Sequence, residues 1–135
     1  LLLYRPGLDC FVANHFLTMD GGLVQIQGLR LNDQAIEKGS ARHVLVDTGS
    51  NALSVPSFLY QQMPPFGTLS ILLRSVEGKS FRLRFPYDKK NRYNAQVVET
   101  AGNTHRIVVG VTFLVGYTVG GVHQGSINYV TLDRL

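Results

Sequence analysis

Glycines and turn dipeptides break the apolar stretches of this sequence so often that strands joined by tight turns are its natural local structure. Fourteen glycines fall among 135 residues, and most separate short runs rich in valine, isoleucine, leucine and phenylalanine. Phe11 to Met19 reads as a strand, and Asp20-Gly21-Gly22 as a tight turn after it. Leu23, Val24 and Ile26 form a second strand that Gly28 should end, and the polar stretch from Asn32 to Gly39 reads as a loop. His43 to Val46 is a short apolar strand. Pro56 to Met63 is the best helix, because proline costs no hydrogen bond in a first turn and Pro64-Pro65 would stop it. Leu69 to Val76, a turn at Glu77-Gly78 and Phe81 to Phe85 make a hairpin. Ile107 to Val111 and Phe113 to Val119 are strongly apolar, Gly116 to Gly125 reads as turns between strands, and Ile127 to Leu132 is a last strand. The expected fold is all-β, a single curved domain over residues 1–135 with one or two short helices.

Composition narrows the class of function. Hydrophobic residues at 44% and charged residues at 16% are a globular balance, not a disordered one. The net charge of +4 is spread along the chain, and only Arg82 to Arg92 is dense in basic residues. There Arg82 and Arg84 alternate with Phe81, Leu83 and Phe85, as one solvated strand face would. No nucleic-acid partner is expected from that pattern. No apolar run approaches the roughly 20 residues that a membrane-spanning helix needs. Leu1-Leu2-Leu3 is too short for a signal-peptide core, and a start at Leu1 is what a processed piece would show. Cys10 is the single cysteine, so it forms no disulfide within the chain.

The residues that carry chemistry stand at Asp47. Val44-Leu45-Val46-Asp47-Thr48-Gly49-Ser50 sets a carboxylate directly after a buried strand and before a glycine. The strand can deliver the carboxylate into a cleft, and Gly49 lets the backbone turn closely around it. The Gly49 amide and the Ser50 hydroxyl are then candidate donors that would favour the charged form. A second carboxylate about 3 Å away would hold the shared proton, giving one acid and one base at one site. Asp-Thr-Gly-Ser is also good turn chemistry, and on these four residues alone the two readings stand level.

The flanking sequence separates them. His43 through Pro56, with Asp47-Thr48-Gly49-Ser50 at its centre, resembles the active-site signature of the pepsin-like aspartic proteases. Downstream, Ile107-Val108-Val109-Gly110-Val111-Thr112-Phe113-Leu114-Val115-Gly116-Tyr117-Thr118-Val119 is similar to the signature of that family's carboxy-terminal lobe, and Ser126 to Val130 to its closing strand. Leu69 to Phe85 resembles a strand pair between the two. The resemblance covers most of Leu23 to Leu132. The sequence departs from the family at Val111, where Asp or Ala is usual, and at Gly120-Gly121, where an aromatic–Asp pair is usual. The interval between Asp47 and Gly110 is also short, and the lobe's usual disulfide has no cysteine pair here.

The resemblance implies one pepsin-like lobe of an aspartic endopeptidase that hydrolyses peptide bonds through a water activated by two carboxylates. Asp47 would be one of them. Thr48 would grip the opposite lobe's loop, Gly49 and Ser50 would donate to the carboxylate, and Gly110 would pass beneath the catalytic loop. Ser50 and Asn51 are weaker candidates for contact with substrate. No cofactor or metal is implied, and a secretory or acidic compartment is. The chain holds no second Asp-Thr-Gly, so the other carboxylate must come from elsewhere. Its partner is then an amino-terminal lobe outside this sequence or a second copy of the chain, as in retroviral proteases. A non-catalytic peptide-binding or scaffold lobe is the third reading.

Other chemistries find less support. Glu77-Gly78-Lys79-Ser80 ends like a phosphate loop, but the glycine that motif requires would stand where Leu73 does. His15, His43, His105 and His123 have no metal-ligand spacing with each other or with Cys10. Ser50 and Ser54 have no histidine close in sequence to activate them.

Overall fold

The computed structural model describes residues 9–18, 21–47, 49–91, 96–100, 102, 105–124 and 127–134. Those residues are mostly strand. An eight-stranded sheet has the order β11-β12-β1-β2-β5-β10-β6-β9, and a four-stranded sheet the order β4-β3-β7-β8. In the first are β1 (Asp9–Thr18), β2 (Gly21–Gln25), β5 (His43–Asp47), β6 (Leu53–Val55), β9 (Val97–Glu99), β10 (Arg106–Val109), β11 (Tyr117–Gln124) and β12 (Ile127–Arg134). In the second are β3 (Gly28–Leu31), β4 (Gln34–Ile36), β7 (Phe66–Arg74) and β8 (Ser80–Asp88). One helix, α1 (Ser57–Gln62), and a 3-10 turn at Val111–Phe113 complete the described elements. The expectation of an all-β chain with one or two short helices agrees with this. Among the described residues no helix is long and apolar enough to cross a membrane.

The hairpin of β7 and β8 shows how the sequence dictates the smaller sheet. Alternate residues of β7 (Leu69, Ile71, Leu73) and β8 (Phe81, Leu83, Phe85) are buried, and they pair across the strands in register. Each such side chain contributes roughly 1.5–3 kcal/mol on leaving water, which is why the period of two prevails over other local preferences. Gly78 closes the turn at φ +83°, a left-handed conformation that suits glycine, with its amide donating to the Ser75 carbonyl at 3.0 Å. The inner face meets the larger sheet in one core cluster that includes Phe11, Val44, Val46, Leu53, Ile107 and Val109. Phe85 stands edge-on to Phe113, with centroids 5.9 Å apart, tying the hairpin to the 3-10 turn.

Four expectations change. Gly28 does not end a strand but starts β3, because the chain turns a corner at Ile26-Gln27 from one sheet into the other. The Ile26 amide donates to the Arg42 carbonyl and the Gln27 amide to the Leu72 carbonyl, each at 2.8 Å, so the corner has its own partners. Asn32 to Gly39 is not wholly loop. Asn32 and Asp33, at φ 50° and 66°, form a two-residue turn that returns the chain into β4. Asn and Asp tolerate the left-handed region, which makes this a strand-joining turn despite its polarity. Gly21 and Gly22 lie in β2 rather than in a turn, while Asp20, the first residue of that expected turn, is outside the described residues. Gly120 and Gly121 are not in a turn between strands. They sit within β11, opposite Thr131 and Val130 of β12. Eight paired positions along β11 and β12 outweigh the weak intrinsic strand preference of glycine.

Helix α1 follows the sequence closely. Pro56 is its N-cap and Met63 its C-cap, and Leu59 is buried against the core. No side chain caps its N-terminus. Its C-terminal end is held instead by Lys89, whose Nζ donates to the Tyr60 carbonyl at 2.8 Å and lies 3.9 Å from the centre of the Tyr60 ring.

Candidate functional site

Strand β5 is central in its sheet, with β2 antiparallel on one side and β10 parallel on the other. Val44, Leu45 and Val46 are all buried, as an unbroken apolar run in a central strand should be. Asp47 ends this strand half-buried, so the carboxylate emerges where the sheet stops. The Gly49 amide donates to Asp47 Oδ1 at 2.9 Å. The Ser50 amide donates to the Asp47 carbonyl at 3.3 Å, closing the turn.

The order β5-β10-β6 shapes what surrounds the carboxylate. The segment after Asp47 must pass over the end of β10 to reach β6 on its far side. Val109 pairs with Val46 on one flank and with Leu53 on the other, so Gly110 arrives under that crossing. The Gly110 amide donates to the Ala52 carbonyl at 3.0 Å, and the Val111 amide to the Ser50 carbonyl at 2.7 Å. A Cβ on Gly110 would lie 2.4 Å from the Asn51 carbonyl carbon and 2.7 Å from the Ala52 nitrogen and oxygen. These are backbone atoms that cannot rotate aside. Glycine is therefore required here by close approach of two backbones.

Of the residues singled out in the sequence, Asp47, Gly49, Ser50, Asn51 and Gly110 come together, although nearly half the length of the chain separates the first from the last. Thr48 lies outside the described residues. Ser50 enters through its backbone, as donor to Asp47 and acceptor from Val111. Asn51 is exposed. With Ala52, Asn91, Gln96 and Thr112 it lines a cavity of about 300 Å³ beside the loop. Sequence reasoning did not find Asn91, Gln96 or Thr112, since each is an ordinary polar residue in its local context and only the fold assembles them. Among the described residues no group of three or more His, Cys, Asp or Glu is placed to hold a metal ion.

The arrangement can hold a carboxylate at the mouth of a sheet with a backbone donor fixed on one oxygen. Among the described residues no backbone amide donates to the other oxygen, and a carboxylate so held can accept a proton from a bound water. No protein-family model matches the chain, and no curated protein matches it.

Proposed function

We propose that this chain is one pepsin-like lobe of an aspartic endopeptidase, with Asp47 as one of its two catalytic carboxylates. The observation that carries this reading is the stacking of two distant motifs. The loop after Asp47 crosses directly over Gly110, with less than a side chain's width between the backbones. The amide that Gly49 donates to Asp47 Oδ1 is the bond of an ordinary Asx turn, but a turn that served only to reverse the chain would not need the glycine below it.

The chemistry follows from pairing. Two carboxylates brought within about 3 Å cannot both ionise readily, so one keeps the proton and the other does not. A water between them gives its proton to the ionised group as its oxygen attacks the peptide carbonyl. The protonated carboxyl donates its proton to the carbonyl oxygen, and a tetrahedral adduct forms without any covalent bond to the enzyme. Return of a proton to the amide nitrogen then lets the carbon–nitrogen bond break. The Gly49 amide, already bonded to Asp47 Oδ1, holds the carboxylate in orientation throughout. The cavity beside Asn51 offers room for part of a bound polypeptide.

The second carboxylate has two possible sources, an amino-terminal lobe or a second copy. Val111, 44% exposed and bonded through its amide to the Ser50 carbonyl, offers apolar surface beside the loop that either source could cover. Replacing Asp47 with Asn in the assembled protein keeps the shape but leaves a group that cannot accept the water's proton. Cleavage of an unfolded protein substrate is expected to fall by more than about 10³-fold with an unchanged melting curve. Substantial turnover by Asp47→Asn would remove Asp47 from the mechanism.

A further inference from the structure

The outer face of the four-stranded sheet has a feature that the protease reading does not use. Ala35, Arg30, Ser70 and Arg84 pair in one row across β4, β3, β7 and β8. The core side of the same strands is filled by Leu29, Leu69, Ile71 and Leu83, so Arg30, Ser70 and Arg84 point to the opposite face. Ser70 is 1% exposed, and its Oγ has no hydrogen-bond partner. Arg30 Nε is likewise buried without a partner. The guanidinium of Arg30 is steadied at its other end, where Nη1 donates to the Asp33 carbonyl at 3.2 Å.

Two buried donors on neighbouring strands, each without an acceptor, are costly and uncommon. Arg30 Nε can only donate, and the Ser70 hydroxyl can donate, so one acceptor between them satisfies both. Arg84 flanks Ser70 from the other side. Across two strand spacings the Cα atoms of Arg30 and Arg84 stand about 10 Å apart, which lets two guanidiniums converge on one small anion. Arg82 and Arg74 lie on the same face further along β8 and β7. Asp88, at the far end of β8, is the only carboxylate within β3, β7 and β8.

We infer that Arg30, Ser70 and Arg84 form a binding site for one tetrahedral oxyanion, a sulfate or phosphate group, on the face of the sheet away from the core. In the bound state the Arg30 Nε–H and the Ser70 hydroxyl donate to one oxygen, and Arg84 closes on another. The group is either a free ion or the substituent of a sulfated sugar chain, and the chemistry of recognition is the same. This site is independent of Asp47 and of any peptidase activity.

The test is calorimetric titration of the intact chain with sodium sulfate, sodium phosphate and a sulfated oligosaccharide, against sodium chloride at matched ionic strength. Saturable binding of sulfate or phosphate is expected, weakened about tenfold by Ser70→Ala and at least as much by Arg84→Gln. Ser70→Ala without oxyanion should melt no lower than the parent, since it removes a hydroxyl that has no partner. Binding of the inorganic ions with that dependence assigns a free-ion site. Binding of the oligosaccharide at least about tenfold more tightly, with the same dependence, assigns the polymer-borne group. Heats that match chloride for all three probes, or binding that neither substitution weakens, overturn the inference.

Discussion

At the scale of single residues, the geometry makes one glycine far less replaceable than another. Gly110→Val would drive side-chain carbon into the Asn51 and Ala52 backbone, so the loop itself must move. A loss of about 1–3 kcal/mol by overpacking is expected. Amide signals of Asp47, Gly49 and Ser50 should shift with it, despite the long sequence separation. Gly120 is the control, because it lies in β11, where an added Cβ would meet the Thr131 Oγ1 at 2.8 Å. That contact is with a side-chain atom, so Gly120→Ala should disturb Thr131 and leave the Asp47 signals in place. The reverse pattern in the two spectra would break the link between the motifs. The Asp47 strand, the glycine after it and the helix from Pro56 were legible in sequence because each rests on neighbours along the chain. The approach of Gly110 to Asn51 was legible only through resemblance, since nothing local shows which backbone a glycine must admit.

Among elements, the β7–β8 hairpin and α1 are joined through Tyr87 and Lys89. The Tyr87 hydroxyl donates to the Pro64 carbonyl at 3.1 Å, just after the helix, and its ring is buried. Burial pushes the phenol up from its ordinary value of 10.0 to about 12. In the unfolded chain the same phenol ionises near its ordinary value, so between these limits only the unfolded state gives up the proton. The contribution of Tyr87 to stability is therefore complete below about pH 10 and lost as pH rises through about 12. Denaturant titrations across that window should show a decline that is smaller in Tyr87→Phe. An equal decline in both proteins would place the alkaline loss elsewhere. The hairpin was readable from its alternation of arginine with phenylalanine and leucine. The corner at Ile26-Gln27 was not, because a strand that leaves one sheet for another keeps the same apolar pattern on both sides of the bend.

For the whole molecule, the proposed protease function gives a single Asp-Thr-Gly a kinetic consequence. One carboxylate cannot serve as both acid and base, so the chain as a monomer is expected to hydrolyse peptide bonds little or not at all. If two copies pair through their Asp47 loops, the initial rate should rise with the square of protein concentration while monomer dominates. A separate lobe with its own Asp-Thr-Gly would instead restore activity in proportion to the lobe added. Robust cleavage by protein shown to be monomeric during the assay would defeat both schemes.

Periodic apolar residues, turn glycines and the strand-Asp-Thr-Gly run determine by themselves that the chain forms strands and where its carboxylate stands along them. These features act between residues close in sequence, where backbone geometry and burial on one face suffice. Tertiary structure decided the rest. It drew Gly120 and Gly121 into β11, placed β10 between β5 and β6, and set Arg30 beside Ser70 and Arg84. Each of those outcomes depends on which strands become neighbours, and that is settled by the packing of two sheets on a common core rather than by any short stretch of sequence.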